Sequence, residues 1–170
     1  MELWDIYDRQ RRTTGRFHVR GTPMGRGEYH LTAFVWVFNR QRELLLTRRA
    51  PEKEHYANCW AATGGAALVG ETSLQTVRRE LREETGLSAE RMTCLTTLLT
   101  TPGFCTEKIA VYLAQGLSQG DTHPDEDEFL GLVRLPLEEA FEMVMRGEIC
   151  DGKTICGLMM AREAVARRKL

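Results

Sequence analysis

The segment from Gly64 to Gly86 constrains the fold of this 170-residue chain more than any other stretch. A Gly-Gly pair opens it, Thr72 can cap a helix together with Gln75 three residues later, and Gly86 can end that helix in the left-handed conformation. The sequence therefore predicts a glycine turn followed by a helix over about 72–85.

The predicted helix has an apolar face and an acidic face, because successive residues are about 100° apart. Three apolar side chains share one face, namely Leu74, Val77 and Leu81. Three acids share the adjoining face, namely Glu80, Glu83 and Glu84. The arginines at 78, 79 and 82 are expected to project mostly to other sides. A solvated face would normally interleave opposite charges. Clustered carboxylates beside a glycine turn suit Mg²⁺ instead, because it takes few carboxylates and leaves positions for water and substrate phosphate.

The rest of the chain alternates strand patterns with helical ones. Apolar alternation predicts a hairpin over 29–38 and 43–47, a short strand over 60–68 broken by the glycine pair, and further strands over 92–100, 108–114 and 129–135. Two helices follow, at about 137–146 and 152–168. There is no internal repeat and no linker, so we expect a mixed sheet flanked by helices. We expect one domain over 1–170, with an N-terminal extension over about 1–28.

Composition excludes several classes of protein. With 42% apolar and 28% charged residues and only five prolines, the chain is typical of a soluble globular protein. It has no run of eighteen apolar residues and no basic-then-apolar N-terminus, so we expect neither a membrane partner nor secretion. Its five cysteines are an odd number without a C-x-x-C pair, which favours a reduced, cytoplasmic setting.

Charge is unevenly distributed along the chain. The net charge is −1, yet residues 1–50 contain ten arginines against five acids, giving +5 there and −6 for the remainder. Without an overall basic excess or an aromatic-basic motif, we do not expect a nucleic-acid partner. Arginines for phosphate oxygens and carboxylates for a metal are the sharper interpretation.

The glycine-helix segment resembles a complete Nudix box. Gly65 is followed after five residues by Glu71, and after seven more by the run R-E-L-R-E-E-T-G-L from Arg79 to Leu87. The resemblance implies an α/β fold, the Nudix αβα sandwich. It also implies a divalent metal cofactor, Mg²⁺ with Mn²⁺ as a substitute, and hydrolysis of a nucleoside diphosphate linked to another moiety.

The same resemblance implies a role for each residue of the box. Glu80 and Glu84 would be the principal metal ligands, Glu83 a further catalytic or water-mediated ligand, and the Gly64 carbonyl a backbone ligand. Glu71 and Arg79 would orient the box. Gly65 and Gly86 would serve its backbone geometry.

Three segments of the C-terminal half resemble ADP-ribose pyrophosphatases. By that resemblance, the acidic run 125–128 supplies Glu126 as the catalytic base and Glu128 as a metal ligand, although a solvated acidic turn explains the run equally well. The segment 101–107 makes Glu107 the second candidate for the base, with a plain turn as the alternative. The segment 146–154 resembles their G-x-I-x-D-x-K-T motif. ADP-ribose or a related nucleotide sugar is then the first substrate to test, and a homodimer the assembly to test.

The N-terminal half is similar to the Nudix branch that contains isopentenyl-diphosphate isomerases. That similarity implies that Arg49 and Lys53 hold the diphosphate of the substrate, which suits guanidinium and ammonium chemistry. His30 matches one metal histidine of that branch. The isomerase cysteine is replaced by Gly65 and the neighbouring metal histidine by Ala67, which favours hydrolysis. An isomerase-like enzyme and a non-catalytic nucleotide sensor are the alternatives.

Overall fold

The computed structural model describes residues 1–39, 41–52, 55–101, 103, 107–120 and 131–167. Within these ranges the chain forms nine strands and three helices. In chain order they are β1 (Leu3–Tyr7), β2 (Thr13–Val19), β3 (Thr32–Phe38), β4 (Glu43–Arg48), β5 (Trp60–Ala61), β6 (Thr63–Ala66), α1 (Ser73–Thr85), β7 (Leu87–Leu99), β8 (Lys108–Gln119), β9 (Gly131–Pro136), α2 (Leu137–Met145) and α3 (Gly152–Ala166).

Seven strands form one mixed sheet around β3. Its main order is β5-β4-β3-β8-β7, with β6 also paired to β3 and β9 to β4. Strands β3 and β8 run parallel, whereas β6 pairs antiparallel with β3 and β7 with β8. The predicted hairpin of β3 and β4 is confirmed, and β7 and β8 are longer than their sequence patterns predicted.

Alternation along β3 gives the sheet two buried faces. Val35 and Val37 face the core cluster that includes Val77 and Leu81 of α1. Trp36 and Phe38 face the other cluster, which contains apolar residues of α2 and α3. Helices therefore cover both faces, which confirms the predicted α/β sandwich.

Helix α1 begins and ends where the sequence predicted. The Thr72 hydroxyl accepts from the Gln75 amide at 3.3 Å, and the Gln75 side-chain oxygen accepts from the Thr72 amide at 2.9 Å. Gly86 ends the helix with φ of 69°. The predicted apolar face was partly wrong, because Val77 and Leu81 are buried but Leu74 is 37% exposed.

Helix α3 lies very close to the sheet at one glycine. Trp36 is fully buried, and a Cβ added to Gly157 would be 2.0 Å from its Cε2 atom. Only a residue without a side chain lets the indole lie against the helix backbone here. This contact seats α3, and with it residues 151–154, on the sheet.

The N-terminal extension folds into a hairpin that the sequence did not predict. Strands β1 and β2 form a separate antiparallel sheet. Tyr7 and Tyr29 exchange two backbone hydrogen bonds that join this sheet to the domain. A carboxylate oxygen of Asp5 also accepts from the Gly70 amide at 2.7 Å, just before α1.

In the part of the chain that the structure describes, each helix is too short or too polar to cross a bilayer. The extent of the domain over 1–170 stays a prediction.

Candidate functional site

Gly64 and Gly65 lie inside strand β6, so the predicted break of the strand at this pair was wrong, and the interruption falls at Ala62, between β5 and β6. The glycine pair brings β6 against both β3 and α1. Gly64 has φ of 149°, and a Cβ there would be 2.3 Å from the carbonyl oxygen of Ala33. A Cβ on Gly65 would be 2.5 Å from Oε1 of Glu80. The first glycine therefore allows two strands to approach, and the second leaves a cradle for a carboxylate of α1.

The acids of α1 differ in their surroundings. Glu80 and Glu84 are each only 8% exposed, which is unusual for carboxylates. The side chain of Glu83 is 39% exposed. Keeping two ionised carboxylates this far from water requires cations or hydrogen-bond donors beside them.

Arg79 supplies one of these cations, contrary to the expectation that its side chain projects to another side. Its Nη1 donates to Glu80 at 3.0 Å and to Glu83 at 2.9 Å, and its Nη2 donates to the Ala66 carbonyl at 2.9 Å. Burial alone lowers the pKa of this guanidinium, but the hydrogen bond with Glu71, the charge of Glu80 and the hydrogen bond with Glu83 raise it well above the usual value. Arg79 is therefore held as a cation.

Glu71 ties the loop before α1 to the helix. It accepts from Nε of Arg79 at 2.8 Å, from the Leu68 amide at 2.9 Å and from the Thr76 hydroxyl at 3.2 Å. Burial alone raises the pKa of this carboxyl, yet the Arg79 and Leu68 hydrogen bonds bring it below its ordinary value. Glu71 and Arg79 thus connect loop, helix and strand, while their orienting role in catalysis stays a prediction.

The carboxylates of α1 fit a hard divalent cation. Among the described residues, no group of three or more His, Cys, Asp or Glu side chains is arranged to hold a metal ion. Mg²⁺ does not need one, because one or two carboxylates with water and phosphate oxygens complete its octahedron. Glu80 and Glu84 are a buried pair of hard oxygen donors, and the Gly65 cradle leaves room for the Glu80 carboxylate. The donor set therefore matches the predicted metal chemistry.

Glu84 lines a cleft of about 650 Å³, termed the first cleft. Gly64 and Phe34 lie beside it, and three cations line the same cleft, namely Arg20, Arg49 and Lys153. Arg49 donates from Nη2 to the His55 carbonyl at 3.3 Å. Its Nε is buried and has no hydrogen-bond partner among the described residues. The structure thus brings Arg49 into one cleft with Glu84 and Gly64.

A second cavity of about 550 Å³ lies at the start of β3 and β8. Tyr7 and Tyr29 line it together with His30 and Glu107. His30 comes just before β3, where burial is the main cause of its lowered pKa. Glu107 therefore faces this cavity, whereas Glu84 faces the first cleft.

Three predicted site residues lie outside the described part of the chain, and two residues of the first cleft were not predicted. Lys53, Glu126 and Glu128 lie outside the described residues, so their predicted roles stay predictions. Lys153 and Asp151 line the first cleft and were not predicted as site residues. Their only sequence signal was the D-x-K-T motif.

The family assignment rests on a direct sequence match. The model of the NUDIX domain family matches residues 28–156, which is most of the chain. The chain therefore belongs to the NUDIX domain family. The match begins after the N-terminal hairpin of β1 and β2.

Similar proteins agree with this assignment. The chain is 42% identical over 88 residues to an uncharacterized Nudix hydrolase from Listeria monocytogenes, covering 51% of this chain and 52% of that protein. It is 38% identical over 104 residues to an ADP-ribose pyrophosphatase from Bacillus subtilis, covering 59% and 56%. The matches thus span about half the length of these relatives. A crystal structure from Deinococcus radiodurans superimposes with a TM-score of 0.69 at 23% identity, covering 95% of this chain and 98% of that one. This likeness supports the fold alone.

Proposed function

We propose that this protein is an Mg²⁺-dependent pyrophosphohydrolase that cleaves the diphosphate of a nucleoside diphosphate linked to another moiety. The observation that carries the proposal is the buried pair Glu80 and Glu84 on α1, of which Glu84 lines the same cleft as Gly64 and Arg49. A carboxylate for a metal and a guanidinium for phosphate then line one cleft. A diphosphate needs both, because its oxygens repel a nucleophile and its leaving group carries charge.

ADP-ribose is the first substrate we propose, with related nucleotide sugars next. The Bacillus subtilis relative is named ADP-ribose pyrophosphatase, and it shares 38% identity over 59% of this chain. The resemblance of segments 101–107, 125–128 and 146–154 to such enzymes points to the same substrate class.

The proposed roles follow from donor chemistry. When bound at Glu80, Glu84 and the Gly64 carbonyl, Mg²⁺ supplies neutralisation of phosphate charge and a lowered pKa for a bound water. Arg49 can donate two parallel hydrogen bonds to phosphate oxygens. Glu126 is the proposed base, with Glu107 as the second candidate, and Glu83, Glu128 and Lys53 complete the proposed site.

One assay tests this function. The protein is incubated with Mg²⁺ and ADP-ribose, other nucleotide sugars, dinucleoside polyphosphates, nucleoside triphosphates or isopentenyl diphosphate, and the products are separated by chromatography. We expect AMP and ribose phosphate from ADP-ribose. Cleavage of triphosphates alone would contradict the proposed substrate, isomerised isopentenyl diphosphate would indicate the isomerase, and binding without turnover would indicate a sensor.

Two matched variants sharpen the metal assignment. Glu84→Gln keeps the size of the side chain but removes its charge. We expect turnover to fall at least about 100-fold, because the loss of residues that only orient metal ligands already lowers metal affinity or activity 10- to 100-fold. Glu163→Gln is the control, because Glu163 is an exposed acid of α3 paired with Arg167. Unchanged turnover and Mn²⁺ binding in Glu84→Gln would show that Glu84 is not a ligand.

We also propose the cytoplasm as the setting and a homodimer as the assembly. The four cysteines that the structure describes, Cys59, Cys94, Cys150 and Cys156, are free thiols, as a reducing compartment requires. Cell fractionation and light scattering of the purified protein test the two statements separately.

A further inference from the structure

Lys153 lines the first cleft, together with Glu84 and Gly64 of the box. It lies in the first turn of α3, and its side chain is only 20% exposed. Its ammonium donates to Oδ1 of Asp151 at 2.7 Å and lies 4.7 Å from the ring centroid of Phe34. A lysine with no task at this position would extend into solvent, because its hydrated head favours water.

A hydrogen-bond network holds this turn in place. Oδ2 of Asp151 accepts from the Thr154 amide at 3.0 Å and from the Thr154 hydroxyl, so Asp151 caps α3. The same hydroxyl accepts from the Ala62 amide at 3.1 Å, which fixes the start of α3 to the chain between β5 and β6. Lys153 is thereby positioned relative to β6, the strand that contains Gly64 and Gly65.

One aromatic ring lies beside both the ammonium and the glycine pair. Phe34 pairs with Gly64 in the β3-β6 register. A Cβ built on Gly64 would be 2.8 Å from Cδ1 of Phe34, and the ammonium of Lys153 lies 4.7 Å from the centroid of the same ring. Gly64, Phe34, Glu84 and Lys153 all line the same cleft. The ammonium therefore lies within the reach of a group bound at Glu84 and Gly64.

The ammonium of Lys153 can donate to more than one acceptor. It has three donors, and among the described residues Asp151 is the one hydrogen-bond acceptor that the structure gives it. Asp151 is itself engaged by the Thr154 amide and hydroxyl, which draws part of its charge away from the lysine. Lys153 can thus offer its other donors to an anionic oxygen without losing its anchor.

We propose that Lys153 is a phosphate-binding residue of this site, and that it contacts an oxygen of the substrate's diphosphate in the cleft that Glu84 and Gly64 also line. This inference rests on the proposed function and adds a residue to it. Asp151 and Phe34 act as positioning residues that aim the ammonium. Lys153 thus contributes to diphosphate affinity independently of the metal.

The test uses ADP as the probe, because it carries the diphosphate and can be titrated by calorimetry in the absence of metal. Lys153→Met keeps the unbranched stem and removes the charge. We expect ADP to bind about tenfold or more weakly, as the loss of a charge-assisted hydrogen bond implies. With Mg²⁺ and ADP-ribose the KM should rise more than kcat falls, and Lys153→Arg should restore most of the affinity.

Arg162→Met is the matched control. Arg162 lies on the same helix, pairs with Glu138 at 2.7 Å and lies 3.8 Å from the ring centroid of Phe141, but it does not line the cleft. Arg162→Met removes an ion pair and a cation–π contact, as Lys153→Met does. If the role of Lys153 were merely structural, both variants would show the same drop in Tm and the same unchanged Kd for ADP. We expect a changed Kd and a weakened salt dependence of binding only in Lys153→Met.

The outcomes separate the two proposals. If the wild-type protein cleaves ADP-ribose and Lys153→Met binds ADP within twofold of it, the role of Lys153 is wrong and the proposed function stands. If the wild-type protein neither binds ADP nor cleaves any compound of the panel, the proposed function fails, and this inference fails with it.

Discussion

The two walls of the first cleft are built in opposite ways. The box wall, which Gly64 and Glu84 line, comes from one continuous stretch, residues 64–86, in which a glycine pair, a capped helix and its acids follow one another. The other lining, termed the cationic wall, combines Arg20, Arg49 and Lys153, which lie in three distant parts of the chain. The comparison shows that local pattern suffices for the first wall, whereas the second exists only once the sheet has formed.

The largest expected effect concerns the box wall. Gly65→Ala would place a Cβ 2.5 Å from Oε1 of Glu80, and the carboxylate, as the flexible end of its side chain, would move away. We expect turnover to fall by roughly 100-fold, since a displacement of about 1 Å at a catalytic site can cost that much. Thermal unfolding should change little, so a large loss of Tm with retained turnover would contradict this account of the cradle.

The box wall should also be sensitive to loss of its central cation. Arg79→Met leaves Glu71 and Glu80 without their shared guanidinium, and breaking a buried ion pair costs about 3 kcal/mol or more. Urea denaturation measures this change. Arg91→Met is the control, because Arg91 is an exposed arginine of β7 that donates to Gln115. Equal destabilisation by both changes would show that the Arg79 network contributes no more than a surface contact.

The cationic wall should depend on how closely α3 approaches the sheet. Gly157→Ala would put a methyl group 2.0 Å from Trp36, and overpacking of this kind costs about 2 kcal/mol. Lys153 and Asp151 should shift with the helix, so the KM for ADP-ribose should rise as well. Gly131→Ala in β9 is the control, because Gly131 does not line the cleft and a Cβ there would lie at an ordinary contact distance of 3.6 Å from Cβ of Arg48.

The smallest expected effect is a pH dependence that belongs to the box wall. The pKa of Glu71 is lower in the folded protein than its ordinary value, so the carboxylate stabilises the fold above about pH 4.3 and loses this contribution as the pH falls through its folded pKa. Glu71→Gln should lower stability at neutral pH by about 1.5 kcal/mol. Below about pH 4.3, the free energy of unfolding of the Glu71→Gln variant should also decline less steeply than that of the wild-type protein. Parallel curves of unfolding free energy against pH for the two proteins would contradict this role of Glu71.

The sequence predicted α1 and its caps because the signals are local and contiguous. Thr72 and Gln75 act within the first turn, and Gly86 acts within the last turn through the carbonyl of Arg82. The hydrogen bonds of Arg79 with Glu80 and Glu83 were not predicted. The angular position of a residue on a helix locates its Cα and Cβ atoms, whereas the long side chain of arginine can carry the guanidinium to the neighbouring face.

The hairpin of β1 and β2 and the cationic wall could not be predicted from such local signals. Strand β2 is exposed over most of its length, so it has no buried face to impose an apolar period. Lys153 carries no local mark of its role, which depends on Phe34 more than a hundred positions away. The acids Glu126 and Glu128 stay predictions from resemblance.

The bond from the Gly70 amide to Asp5 has a consequence for work with tagged or shortened forms of the protein. Val69 also donates its amide to the Leu3 carbonyl, so two successive amides before α1 are protected by the first strand. Deuterium uptake at these two positions will therefore report whether the amino-terminal strand is docked, and cleavage of that strand will remove both bonds just before α1.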